Sequence, residues 1–283
     1  MALIIQMLNA LSFAAILFLL ASGLCLMLSL MNVVNLAHGS LYMLAGYIGY
    51  SVGQWADSFL MALVTGISTT ALISFLMDRI FFRYFKDHLE QILLTFGFIY
   101  IFQDVARTLW HGNYHFVSAP AILSGSIHIL GAVFPMFRLC VIGIGVFVAL
   151  GLWLLQEKTK IGALIRAGVD DSLMVQALGV DINRIFTLVF TMAGALAGLS
   201  GVLGSVLIGA YIGADLDILI FAVVVIVIGG LGTLQGAMVG SVLIGFAEVF
   251  GRAFLPEFAH FFVYGVMAVI LATRPSGLLG RTS

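Results

Sequence analysis

Long apolar runs separated by short polar breaks dominate the chain. They fall at 8–31, 39–55, 59–77, 91–109, 136–155, 185–211, 218–232, 236–252 and 260–273. A helix needs about 20 mostly apolar residues to cross about 30 Å of hydrocarbon. Several runs are shorter, so tilted, broken or re-entrant helices are expected, with eight or nine crossings in all. The expected fold is an all-α, polytopic membrane protein forming one transmembrane domain over residues 1–283.

Composition narrows the class. Hydrophobic residues make up 62% and charged residues 9% of the chain, with a mean hydropathy of +1.19. A soluble domain carries about 25% charge, so a soluble fold is excluded. A disordered chain and a nucleic-acid binder are excluded with it, since polarity and basic excess are both missing. The 32 glycines suit helices packed closely in lipid. Cys25 and Cys140 both lie in apolar runs and read as small apolar side chains. The N-terminus lacks the basic region of a cleavable signal peptide.

Charge sets an orientation. Nine of the twelve basic residues sit in 78–90, in 156–184 and in the tail after 273. The positive-inside rule places these segments, and with them the C-terminus, in the cytoplasm. Residues 1–56 carry no charged side chain, so the N-terminus is left open: outside with nine crossings, inside if 39–55 is re-entrant.

Small residues set the packing. Ala193, Ala197, Gly201, Ser205 and Gly209 recur every four residues, and Gly232, Gly236 and Gly240 repeat the spacing. Such ridges let helix backbones approach closely in lipid, within one bundle or between subunits.

Polar residues at membrane depth are the candidates for function. Asn32-Val-Val-Asn35-Leu-Ala-His38-Gly39-Ser40 interrupts an uncharged apolar region. Two amides, an imidazole and a hydroxyl there are costly unless hydrogen-bonded or facing a cavity. A broken helix near 32–40 would expose backbone groups to a polar substrate; a wetted interfacial loop is the alternative. Thr95, in Leu94-Thr-Phe-Gly97, is a weaker case, since its hydroxyl can bond its own helix. Asp104 with Arg107 and Glu248 with Arg252 are spaced to pair along a helix.

The segment 156–184 is too polar to span. Within 161–179, Ile161, Leu164, Ile165, Gly168 and Val175 share one helical face, Arg166 and Asp170 oppose it, and Gly179 can end the helix. Asp170 and Asp171 beside Arg166 make anionic lipid a poor partner and favour a protein. His111 and His115 would need a third ligand to hold zinc. Gly198-Leu-Ser200-Gly201 matches the motif around a rhomboid protease nucleophile, with His260 as a distant base, but Ser200 belongs to the small-residue ridge. None of Lys86, Lys158 and Lys160 follows glycine, so the chain has no P-loop; if ATP drives it, another subunit hydrolyses it.

Taken together, several blocks resemble a known family. Asn35-Leu-Ala-His38-Gly39-Ser-Leu-Tyr42 is similar to the signature of inner-membrane permeases in ABC importers for branched-chain amino acids. Leu93-Leu-Thr-Phe-Gly97 with Gln103-Asp104-Val-Ala-Arg107 resembles a second block. Lys158 to Asp171 with Ala177-Leu-Gly179 resembles the cytoplasmic coupling segment. Gly229-Gly-Leu-Gly232-Thr-Leu-Gln-Gly236 and Arg274-Pro-Ser-Gly-Leu-Leu-Gly280 complete the set. Leu36 stands where phenylalanine is common, and Gln235 where proline is.

The resemblance implies a permease of the bacterial inner membrane, working by alternating access. It implies a second homologous permease subunit, two cytoplasmic ABC ATPases that hold ATP and magnesium, a periplasmic binding protein, and no cofactor in this chain. Asn32, Asn35, His38, Gly39, Ser40, Tyr42 and Thr95 would shape the substrate pathway. Arg166, Ala167, Gly168, Asp170, Asp171, Ala177 and Gly179 would couple to the ATPase. The cargo would be branched-chain or other amino acids, amides, urea or aromatic acids. A self-sufficient carrier or channel and a rhomboid-like protease stand as the alternatives.

Overall fold

A computed structural model describes residues 2–31, 35–85, 87–129 and 132–280. Among them are eleven helices: α1 (Ala2–Met31), α2 (His38–Ala56), α3 (Phe59–Met77), α4 (His88–Trp110), α5 (Met136–Lys158), α6 (Lys160–Asp170), α7 (Ser172–Ala177), α8 (Ile182–Leu207), α9 (Ala214–Gly229), α10 (Leu234–Phe254) and α11 (Ala259–Thr273). The sequence pattern predicts nine apolar elements, and an apolar helix stands at each place. Six are long and apolar enough to cross a membrane: those of α1, α4, α5, α8 and α10, and α3 together with the turn that continues it to Phe82. The others are shorter or more polar: α9 has 16 residues and α11 has 15, about 22–24 Å of helix at 1.5 Å per residue. The polar loop after α4 holds one antiparallel hairpin, β1 (Ser126–Ile129) with β2 (Ala132–Pro135), in which Ile127 pairs with Phe134.

Most of the basic residues belong to segments at one end of the bundle, called here the basic end. Here α3 runs on into a π-helical turn, Asp78–Phe82. Asp78 is buried, accepts from Thr187 Oγ1 at 2.6 Å, and Thr187 in turn accepts from Arg83 at 3.3 Å. A carboxylate at this depth needs such partners, and the contact locks α3 to α8.

Helix α1 is apolar on every face, and such a helix is stable only when surrounded. It sits at the centre, against α5, α8, α9 and α10. Small residues make the approach possible: Gly245 lies against Ala10 and Ala14, and Gly145 against Ala15. The ridge on α8 is an intrasubunit seam. Ala193, Ala197, Gly201 and Ser205 are buried, Gly194 and Gly198 lie against Ser74 and Thr70 of α3, and a Cβ on Gly201 would meet the Tyr42 carbonyl oxygen of α2.

Two ridge members fall outside the helices. Helix α8 ends at Leu207, leaving Gly209 in the following loop; Gly232 lies in the turn between α9 and α10 with φ +78°. A four-residue spacing cannot show where a helix stops. Gly236 and Gly240 do pack as the spacing implies, against Gly229 and Val225 of α9. The tail returns to cap α9: Leu278 and Leu279 donate their N–H groups to the carbonyls of Ile228 and Gly229 at 2.8 and 2.9 Å, satisfying two acceptors a helix end otherwise leaves open.

Candidate functional site

The break between α1 and α2 is present. Asn32 lies outside the described residues. Asn35 is buried and closes the turn: its Oδ1 accepts from Ala37 N at 3.1 Å and its carbonyl accepts from His38 N at 3.1 Å. The His38 ring is fully buried, with Nε2 3.1 Å from the Leu20 carbonyl oxygen. A carbonyl only accepts, so Nε2 carries the proton. Nδ1 has no partner among the described residues. Because Leu20 lies well before the end of α1, α2 begins inside the bundle instead of at its basic end.

Helix α9 begins at the same depth. A Cβ on Gly39 would run into the carbonyl oxygen of Asp215, and would lie 2.9 Å from Leu219 Cβ. The N-termini of α2 and α9 therefore meet in the interior, with the Asp215 carboxylate in the first turn of α9. Helix N-termini favour negative charge. Asp215 Oδ2 accepts from Ser40 Oγ at 3.1 Å and from Gln103 Nε2 of α4 at 2.8 Å, while Oδ1 has no partner among the described residues. Three helices are pinned through one buried carboxylate.

The other pathway candidates separate. Thr95 is buried and bonds the Ile92 carbonyl of its own helix at 2.8 Å. Tyr42 reaches a different place, a half-open cavity of about 590 Å³ away from the basic end. Arg138, Asp217, Glu248 and Arg252 line the same cavity. Arg138 donates to Asn9 Oδ1 at 2.6 Å, Tyr211 to Asp217 Oδ2 at 2.8 Å, and Arg252 pairs with Glu248.

At the basic end the single helix expected over 161–179 is two helices. Asp171 adopts extended backbone and caps α7, accepting from Leu173 N and Met174 N at 3.0 and 2.9 Å. A good cap residue inside an amphipathic pattern breaks the helix there. Thr159 caps α6 in the same way through Gly162 N at 3.1 Å, and Gly179 ends α7 with φ +82°. Ile165, Gly168 and Val175 are buried as the shared face predicts, and Gly168 lies against Leu30 and Ile182. Ile161 is the exception, exposed in the first turn, where α6 has only begun. Arg166, Ala167 and Ala177 are exposed; Asp170 ends α6. Away from the bundle project Leu173, Met174 and Leu178, at 76%, 61% and 76% exposure. Replacing Asp171 with alanine is expected to cost about 1 kcal/mol of local stability, read as faster amide exchange across 172–179 with the bundle unchanged.

Comparison with known proteins decides the family. The family model described as the permease component of the branched-chain amino acid transport system matches residues 6–271. The chain belongs to that family. It is similar to the high-affinity branched-chain amino acid transport system permease protein BraD of Pseudomonas aeruginosa, 27% identical over 98% of this chain and 95% of that protein. LivH of Escherichia coli K12, a permease protein of the same description, is 26% identical over the same shares. Among solved structures, PsaBC from Streptococcus pneumoniae in complex with Fab aligns at a TM-score of 0.48 and 17% identity, over 94% of this chain and 89% of that one, a likeness too slight to build on.

Permeases of this family are not themselves catalysts, and the protease-like serine has another use here. Ser200 Oγ is buried and donates to the Ile16 carbonyl of α1 at 2.9 Å. Ser200→Ala is expected to leave transport within about twofold of wild type, with a stability loss of about 1 kcal/mol for the missing bond, checked by uptake and melting of the purified protein. His111 ends α4 in a left-handed conformation, and the His115 ring stacks on Tyr50 at 4.1 Å.

Sequence reasoning passed over Asp215. The signal was there: Ala214-Asp-Leu-Asp217 places two carboxylates between apolar runs, and such residues at membrane depth mark function or a specific partner. The cavity charges, isolated or locally paired along the chain, carried no sign that α5, α9 and α10 bring them together.

Proposed function

We propose that this permease is the membrane-spanning subunit of an ABC importer for branched-chain or closely related amino acids. It crosses the inner membrane nine times, with its N-terminus periplasmic and its C-terminus and basic end cytoplasmic. Two ATPases dock on the α6–α7 segments of a permease pair, and a periplasmic binding protein delivers cargo to the opposite face. Closing the ATPases moves α6–α7 and rocks the bundle between inward- and outward-open states.

One observation carries this reading: exposed Leu173, Met174 and Leu178 on a capped, polar-flanked segment at the basic end of a chain without a P-loop. Such a surface needs an apolar cover, and α6 buries Ile165 and Gly168 against the bundle, so motion of the segment is passed on. Pairing with a second permease has separate support. Asp104 and Arg107 pair at 3.0 Å on α4 while 73% and 62% exposed, and an ion pair in a span is costly against lipid but not against a polar partner.

The test is purification of the tagged chain from native membranes in mild detergent, followed by mass spectrometry. Recovery of P-loop ATPases with this chain supports the importer. Recovery of this chain alone, monodisperse and active in vesicles without ATP, overturns it in favour of a self-sufficient carrier.

A further inference from the structure

The cavity between α1, α5, α9, α10 and α11 is built for a ligand bearing both charges. Its lining holds two guanidinium groups, Arg138 and Arg252, and two carboxylates, Asp217 and Glu248. Formal charge in the cavity is balanced, which favours neither a simple anion nor a simple cation. Each of the four has a single hydrogen-bonding partner among the described residues: Arg138 with Asn9, Asp217 with Tyr211, and Glu248 with Arg252 through Oε1. Glu248 is 2% exposed, and its Oε2 is buried with no hydrogen-bond partner among the described residues. A buried carboxylate oxygen left open is expensive, and one lining a cavity of about 590 Å³ is poised for a donor from a ligand. Apolar surface lies beside the charges: Phe13 and Phe221 meet edge to face at 5.8 Å, with Ile218 and Val249 next to them.

We infer that this cavity is a binding site for a zwitterionic amino acid. The α-ammonium group is held by Glu248 and Asp217, the α-carboxylate by Arg138 and Arg252, and an aliphatic side chain lies against Phe13 and Phe221. The inference rests on the importer reading for its direction: the cavity opens away from the basic end, where cargo would arrive. Tyr42 joins it to the interior node, since this residue lines the cavity and follows Ser40 on α2 by about half a turn.

The experiment uses the complex as purified from native membranes, placed in phosphatidylglycerol nanodiscs. Saturation-transfer NMR is recorded with L-leucine, with 4-methylpentanoate, which lacks the ammonium, and with isoamylamine, which lacks the carboxylate. Leucine is expected to give the strongest signal. In Glu248→Gln its affinity should fall about 30-fold or more, as for a lost partner of a buried charge, and leucine should no longer outcompete 4-methylpentanoate. In Arg138→Gln it should lose its advantage over isoamylamine instead. Should Glu248→Gln fail to assemble, Asp217→Asn, at an exposed position, makes the same comparison.

Unchanged leucine binding in these variants overturns the site. So does loss of the wild-type signal when phosphatidylethanolamine replaces phosphatidylglycerol, which would assign the cavity to a zwitterionic lipid headgroup. ATP-driven leucine uptake by the same complex in proteoliposomes separates the two conclusions. Uptake with charge-insensitive binding removes the site and leaves the importer; charge-sensitive binding without uptake leaves the site and removes the importer's cargo.

Discussion

Gly39→Val is expected to abolish assembly of the bundle, with membrane-inserted, monodisperse protein falling to a small fraction of the wild-type yield. The added side chain would strike the Asp215 carbonyl oxygen and approach Leu219 Cβ to 2.9 Å. The first obstacle is backbone, in the opening turn of α9, so no rotamer change relieves it. Overpacking a deformable core costs about 1–3 kcal/mol, and a clash with backbone costs more. Displacing α2 also withdraws Ser40 from Asp215 at 3.1 Å, and a hydrogen bond to a buried charged group is worth about 1.5–3 kcal/mol. Together these approach the whole stability of an ordinary domain, about 5–15 kcal/mol. Gly97→Ala is the control: nothing lies within 4 Å of a Cβ there, and alanine favours the helix by about 1 kcal/mol. Fluorescence-detected size-exclusion of both variants reads the contrast. Normal yield and uptake from Gly39→Val would mean that the two helix starts do not meet as described.

The same contact shows what a sequence can and cannot disclose in such a protein. Apolar run length placed the helices, because hydrocarbon thickness acts on each helix separately. The break before His38 was visible for the same reason, as polar groups where an uninterrupted helix should be. Gly39 was visible only as a helix breaker, whereas its space is filled by Asp215, 176 positions later in a different element. No local period encodes that contact. The ridge on α8 was legible as close packing, but Gly209 and Gly232 share its spacing from outside any helix, since glycine serves turns as well as seams. Asp171 illustrates the remaining gap. Its charge was read only as a counterweight to Arg166, while its stronger property is capping, which splits 161–179 into α6 and α7. The charged cavity was the least legible part, assembled by residues from Gln6 to Tyr264, each unremarkable in its own segment.

Leu173→Asp combined with Leu178→Asp is expected to leave the bundle intact and to remove ATP-driven transport. Both leucines are 76% exposed on α7 and the turn that follows it, so folding of the chain does not depend on them. Burying a leucine side chain contributes about 1.5–3 kcal/mol, and two lost from one interface weaken it about 10²- to 10⁴-fold. Placing two carboxylates in the same contact adds desolvation cost. The variant should therefore purify at normal yield without its ATPases and show no uptake in proteoliposomes. The competing cover for this surface is the membrane itself, since an amphipathic segment can lie in the headgroup layer. Asp170 and Asp171 lie beside Arg166 in this segment, a balance that gives anionic headgroups little to attract. The two covers predict different losses. A segment resting on lipid would keep its ATPases after the substitutions and lose only its contact with the headgroup layer; a docking segment loses the ATPases at any lipid composition. Retention of both ATPase binding and uptake would show that α7 is not where the motor engages.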